Sequence, residues 1–191
     1  MCIRDRIIYE KDKALSDYGA GVNLSRNATI LLKEVGILKK LSEYAYFPNK
    51  VSFLSSHNNS VIKSLQLNKD NFDFISIDRK DLISVLASEY INLGGEIKFN
   101  HELEHVGSTK IFFKDNSSYE TDLTLACDGI KSKIRENNFN EEPPKYTGLI
   151  AWRGIIDSKK LPDKKIWTEI NIHLGPGGPV SYTHLTLPTK A

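Results

Sequence analysis

"LTLACDGIKSKIRENNF", residues 123–139, is the stretch on which the reading of this chain turns. An apolar, β-prone run ends at Asp128-Gly129, and a basic segment with helical spacing follows. The run predicts a buried strand, so that the Asp128 carboxylate emerges at the strand's carboxyl end. Gly129 permits close approach of another group to the backbone. The next segment predicts a helix whose first N–H groups are free to face an anionic or polyhydroxyl partner. Ser132 would cap or bind there, and Arg135 follows one turn later on the same side. Taken alone, D-G-x-x-S-x-x-R reads most simply as a strand-to-helix turn capped by Asp128.

Working outward, the pattern is mixed. "IIYE" (7–10) predicts a short buried parallel strand that ends in an acid, Glu10. "YGAGVNLSRNA" (18–28) supplies two glycines and then two candidate helix caps, Ser25 and Asn27. The helix after them carries Ala28, Leu31, Leu32 and Val35 at helical spacing and closes at Gly36. "ILKKLSEYA" adds a second turn of helix. "KVSFLSS" and "SVIKSLQL", separated by "HNN", have hairpin chemistry. Residues 77–95 predict a helix capped by Asp78 or Ser76, with Leu82, Val85, Leu86 and Leu93 as its stripe and Gly94 as its stop. Four strand-like runs follow, "EIKFN", "ELEHV", "KIFFKD" and "DLTLAC", with "KDNSSYE" as a polar turn before the last. Beyond the opening stretch, "LIAWRGII" (149–156) and "WTEINIHLG" (167–175) predict two more strands. This order suggests an α/β nucleotide-binding core interrupted by antiparallel β excursions.

Bulk properties exclude several classes. The 191 residues are 40% hydrophobic and 26% charged, with a net charge of +2, as in an ordinary globular protein. The near-neutral balance and the lack of a basic, aromatic-laced patch give no warrant for nucleic acid. No apolar run approaches the ~20 residues of a membrane span. The first residues lack the apolar core of a secretion signal, so the expected compartment is the cytoplasm. Cys2 and Cys127 lie far apart without metal-ligand spacing. The ends, "MCIRDR" (1–6) and "VSYTHLTLPTKA" (180–191), resemble translated sequencing-adapter read-through, although "YTHLTL" also alternates like a short edge strand. On the first reading, the native portion is 7–179 and both ends are truncations.

Two further residues have alternative readings. A carboxylate at the end of a second parallel strand can accept from both hydroxyls of a ribose, which is one use for Glu10. The glycine-rich phosphate turn that accompanies such an acid falls about 20 residues earlier, ahead of this chain; alone, Glu10 reads as a solvated surface acid. Arg79 stands in the first turn of a helix, where the macrodipole disfavours a cation. It either answers an anion outside the helix or pairs with Asp81 or Glu104.

Together, "YEK" (9–11), "GAGVNLSRNA" (19–28), "DRKDL" (78–82), "CDGIKSKIR" (127–135) and "YTGLIAWRG" (146–154) resemble the FAD-dependent aromatic hydroxylases, single-component flavoprotein monooxygenases related to salicylate and p-hydroxybenzoate hydroxylase. The resemblance covers residues 7–179, and D-G-x-x-S-x-x-R is its most specific element. It departs from the family in having Ala126-Cys127 where Gly-Ala is usual and Arg26 where Pro is usual. It also lacks the Gly-x-Gly-x-x-Gly turn and the later Gly-Asp segment.

The resemblance implies an α/β fold, an FAD-binding Rossmann-like core of glutathione-reductase type, N-terminally truncated and interleaved with an antiparallel β substrate domain. The core would take residues 7–48 and 78–142, and the substrate domain 49–77 and 143–179. Glu10 would hold the adenosine ribose, with Gly21 near the same cofactor and Arg79 at its pyrophosphate or ribityl region. Asp128 and Gly129 would sit beside the ribityl and pyrophosphate, with Arg135 behind them. Trp152 and Arg153 would lie on the substrate domain, with no catalytic role carried onto either. The implied chemistry uses NAD(P)H and O₂ to hydroxylate a small aromatic substrate through a flavin C4a-hydroperoxide. The implied alternatives are a same-fold epoxidase or oxidoreductase on isoprenoid-type substrates, and an inactive, non-enzymatic piece. This chain expressed by itself is expected to bind FAD poorly and to aggregate; a yellow, stoichiometric flavoprotein would overturn that.

Overall fold

The computed structural model describes residues 6–15, 20–67, 74–139, 142–148, 150, 154, 169–176 and 178–183. The chain divides into two compact units, one of residues 1–16 and 90–152, the other of residues 17–89 and 153–191.

In the first unit, β1 (Ile7–Tyr9) pairs in parallel with β6 (Glu96–Lys98), with Ile8 opposite Ile97. Pairing continues past the strand, since the Glu10 N–H donates to the Lys98 carbonyl and the Glu10 carbonyl accepts from His101 N–H. A meander follows, β7 (Leu103–Val106), β8 (Lys110–Phe113) and β9 (Ser118–Glu120), antiparallel throughout. Asn116 takes the left-handed conformation (φ 67°) in the β8–β9 turn, which Asn tolerates better than most residues. α4 (Lys133–Phe139) is tied to β7 by the Asn137 and Asn138 side-chain amides, which donate to the Glu104 and Val106 carbonyls. The centre of the unit is Phe113, 2% exposed. Its ring lies 4.7 Å from Tyr9, 5.2 Å from His101 and 5.9 Å from Tyr119. Burial and the nearby Tyr119 and Glu96 raise the Tyr9 phenol above its ordinary range.

In the second unit, β2 (Gly21–Leu24) pairs antiparallel with β5 (Ile75–Asp78). β3 (Lys50–Ser55) and β4 (Val61–Gln66) form the hairpin, with Asn59 left-handed in its turn as the "HNN" chemistry predicts. β10 (Glu169–Gly175) lies parallel to β3 and antiparallel to β11 (Gly178–Thr183), giving the order β11-β10-β3-β4. Residues 180–183, set apart in the sequence reading, thus stand within β11. α1 (Arg26–Glu34) and α2 (Leu38–Leu41) follow β2, and α3 (Arg79–Asn92) follows β5 directly. The core is Leu38, Leu41, Ile75 and Ile77, with Val22, Leu24, Leu32, Phe47, Leu82 and Val85 packed around it. Each fully buried aliphatic side chain there contributes roughly 1.5–3 kcal/mol.

Several expectations are corrected. Residues 121–129 form no strand, and Leu123 and Leu125 are 75% and 79% exposed. A strand exists only as one side of a ladder, and among the described residues none lies beside this run. β1 is parallel as expected but not buried, because a two-stranded pair covers neither face of its isoleucines. β9 arises from the stretch read as a polar turn; the turn itself is only 114–117. α1 buries Thr29 and packs Leu32, leaving Leu31 and Val35 in solvent, so the face in use lies one position round from the predicted stripe. Ser25 stands at its N-cap without a capping bond, its hydroxyl turned to the Asn27 side chain. α3 starts and stops as predicted: Asp78 Oδ1 accepts from Lys80 N–H at 2.9 Å, and Gly94 takes φ 83° beyond its end. Most of "LIAWRGII", including Trp152 and Arg153, lies outside the described residues.

Candidate functional site

The turn after Ala126 is built by its own side chains. Ser132 is the residue before α4, and its Oγ accepts from Arg135 N–H at 3.1 Å. Asp128 Oδ2 accepts from Lys133 N–H at 2.8 Å and from Ile134 N–H at 3.4 Å. The first three N–H groups of α4 are therefore occupied from within. This corrects the expectation that they are free for an external anion. The Arg135 guanidinium donates back to the Ile130 carbonyl and closes the loop. Gly129 has φ 78°, and a Cβ placed on it meets no atom within 4 Å, so one side of its backbone is open. Ala126, Cys127, Asp128, Gly129, Ser132, Ile134, Arg135 and Phe139 line a depression of about 550 Å³ here.

Burial acts to raise the Asp128 pKa. The Ser132 hydroxyl and the N–H groups of Asp128, Ile134 and Lys133 outweigh it and hold the carboxyl below its ordinary value of 3.8. A depressed carboxyl adds stability that is complete above its unfolded-state pKa and lost as pH falls through the lower folded one. Loss of α4 ellipticity on acidification should accordingly be confined to pH below about 3.8. Asp128→Asn should reduce the acid sensitivity of that signal; an identical acid limb in the variant would show that this cap does not set it.

Glu10 stands at the carboxyl end of β1 with one oxygen, Oε1, accepting from Asp12 N–H at 3.0 Å. Among the described residues its other oxygen makes no hydrogen bond. Glu102 is held below its ordinary range by a hydrogen bond from Lys114, against desolvation, with help from the charges of Lys114, Lys11 and Lys133. Glu102 therefore feels the charges of Lys11, which follows Glu10, and of Lys133, which opens α4.

The other two described candidates meet in the second unit. Gly21 is the register partner of Asp78, and Arg79 N–H donates to the Ala20 carbonyl at 3.2 Å. The Arg79 guanidinium is exposed and, among the described residues, pairs neither with Asp81 nor with any other group. Asp81 is raised by burial and by Asp78, against Lys80. Sequence reasoning named Ser132 only as a capping or binding alternative; its value is the N-cap bond. It missed Asn171, whose signal was a polar residue in a strand flanked by isoleucines, 8% exposed. No cluster of three metal-ligating side chains occurs among the described residues, and no helix among them is long and apolar enough to cross a membrane.

No family model matches the chain. It is 25% identical over 168 residues to a 6-hydroxynicotinate 3-monooxygenase of Bordetella bronchiseptica, covering 81% of this chain and 43% of that protein. It is 26% identical over 174 residues to the FAD-dependent monooxygenase OpS4 of Beauveria bassiana, covering 84% and 41%. Among solved structures, the tetrameric form of 2-methyl-3-hydroxypyridine-5-carboxylic acid oxygenase superposes with TM-score 0.61 at 23% identity, covering 67% of this chain and 34% of that one. That likeness establishes a mixed α/β fold. The chain spans about two-fifths of the length of the curated relatives it matches.

Proposed function

We propose that this chain, a relative of the FAD-dependent aromatic-ring monooxygenases, forms the flavin-contacting portion and part of the substrate-contacting portion of such an enzyme. The reaction would consume NAD(P)H and O₂ and place a hydroxyl on a small aromatic ring. The observation that carries this reading is the Asp128-Gly129 turn. Its glycine is left-handed, and a Cβ there would fill open space, as a backbone contact surface for a bulky cofactor requires. The Asp128 carboxylate is held ionised beside it, with lone pairs left to accept from hydroxyl groups. The residues present therefore fit FAD, which when bound supplies the redox chemistry with NAD(P)H and O₂.

The chain's own parts have distinct tasks in this reading. Asp128 and Gly129 receive the polyhydroxyl and phosphate part of the cofactor on a turn made rigid by Ser132 and by Arg135, which braces it through the Ile130 carbonyl. Glu10, with one oxygen uncommitted, accepts from the ribose diol. Gly21 lines the same cofactor, and Arg79, unpaired, neutralises its pyrophosphate. The FAD-binding core is then a Rossmann-like assembly of 7–48 and 78–142, and the substrate domain comprises 49–77 with 143–179. Parallel pairing of β3 with β10 supports that grouping, because it joins both substrate-domain segments in one sheet. The free, exposed Cys127 thiol suits a reducing cytoplasm.

The test is flavin titration of the purified chain, followed by quenching of flavin fluorescence. Weak but saturable FAD binding is expected, and Arg79→Gln should weaken it about tenfold, the loss of one charge-assisted hydrogen bond of roughly 1.5 kcal/mol. Its melting temperature should stay unchanged, since no described residue leans on the guanidinium. Absence of saturable binding would overturn the reading; equal affinity in the variant would remove Arg79 from the site.

A further inference from the structure

The four-stranded sheet has a polar face that the flavin reading leaves unused. Register sets Lys50 and Ser52 of β3 opposite Glu169 and Asn171 of β10 and opposite Gln66 and Ser64 of β4. Side-chain bonds confirm the shared face. Ser52 Oγ lies 3.0 Å from Ser64 Oγ and donates to Glu169 Oε2 at 3.4 Å. Lys50 Nζ and Glu169 Oε1 are 2.8 Å apart. The intervening Val51, Phe53, Ile170 and Ile172 alternate to the opposite face.

Two side chains of this row are buried, Ser52 at 2% exposure and Asn171 at 8%. Ser52 is satisfied by Ser64 and Glu169. The Asn171 amide makes no hydrogen bond among the described residues. Burying an unpaired amide costs stability, and such groups in folded proteins call for a specific explanation. The backbone of β10 is fully laddered on both sides, so the fold itself has no need of this amide.

We propose that Asn171 is a ligand-recognition residue whose buried amide receives the hydroxyl of a small aromatic molecule. The class of ligand rests on the function proposed above; the unpaired amide is an independent observation. The local charge selects the hydroxyl rather than a carboxylate, because the Lys50 cation is already neutralised by Glu169. A primary amide accepts the proton of a ring hydroxyl and donates to the same oxygen, so it meets both needs of that group. A ring without the hydroxyl would leave the amide unpaired, and sites built this way reject such analogues strongly.

The experiment compares the purified chain with Asn171→Leu and Ser52→Ala. Each is titrated with 4-hydroxybenzoate and with benzoate by ligand-observed NMR, and with FAD in parallel. The chain should prefer 4-hydroxybenzoate at least tenfold, and Asn171→Leu should abolish that preference. Its melting temperature should be unchanged or raised by roughly 2–4 °C, because an unsatisfied buried amide has been removed. Ser52→Ala, which breaks a satisfied network, should melt lower. A fall in melting temperature for Asn171→Leu would mean that an internal water satisfies the amide, and would overturn the proposal. So would a preference that survives in Asn171→Leu, or no preference in the chain itself. FAD binding separates the two failures: if it persists while the preference is absent or unaltered, only the role of Asn171 falls. If FAD binding is missing too, the proposed function falls with it.

Discussion

Phe113→Ala should destabilise the unit of residues 1–16 and 90–152 by about 3–5 kcal/mol, the cost typical of emptying an aromatic site in a core. The expected size follows from how little else holds that unit together. Among the described residues of that unit, Phe113 is the most deeply buried large side chain, 2% exposed beside Ile111 at 6%, and Tyr9, His101 and Tyr119 all contact its ring. Through Tyr9 the cluster also anchors β1, whose isoleucines face solvent and contribute little. Lys98 Nζ sits 4.4 Å from the Tyr119 ring centroid and 5.8 Å from that of Tyr9, so a cation–π contact closes the cluster on its outer side. Chemical denaturation followed by tyrosine fluorescence measures the loss. Phe113→Leu, which keeps most of the volume, should cost less than half as much. Equal losses for the two variants would show that ring stacking, rather than filled volume, carries the stability.

That cluster also shows what the sequence could reveal. "KIFFKD" was legible as a strand because β-branched and aromatic residues crowd a short run between polar turns. Which of its two phenylalanines faces inward was not, since that depends on the partner strand's register. The ends of α3 were legible for a local reason: Asp78 and Gly94 act on backbone groups within a turn of themselves. Residues 123–127 failed for the opposite reason. Their composition favours a strand, but a ladder needs a neighbour, and composition carries no information about neighbours. The site divided along the same line. The turn at Asp128-Gly129 was legible because spacing within one short segment fixes its geometry, whereas the occupation of the α4 donors by Asp128 and Ser132 emerged only with coordinates. Asn171 was invisible for a related reason, because an unpaired amide is a property of its surroundings.

Gly129→Val should abolish measurable FAD binding. Two effects combine there. At φ 78° a side chain is strained by about 1–2 kcal/mol, and a β-branched one by more. A side chain would also occupy the open space beside the backbone where the cofactor is proposed to rest. Gly129→Asn separates the two, because Asn adopts the left-handed conformation with little strain while still presenting a side chain. If close approach of the cofactor to the backbone is what matters, Gly129→Asn should melt like the parent chain yet bind FAD at least tenfold more weakly in the fluorescence titration. If it binds FAD as the parent does, the glycine serves only the turn, and the 126–139 depression is not where the cofactor meets this chain. Asp128→Ala adds the converse case. It should lower α4 stability by about 1 kcal/mol through the lost cap, and weaken FAD by more than that loss explains. The carboxylate then acts twice, once on its own helix and once on the cofactor.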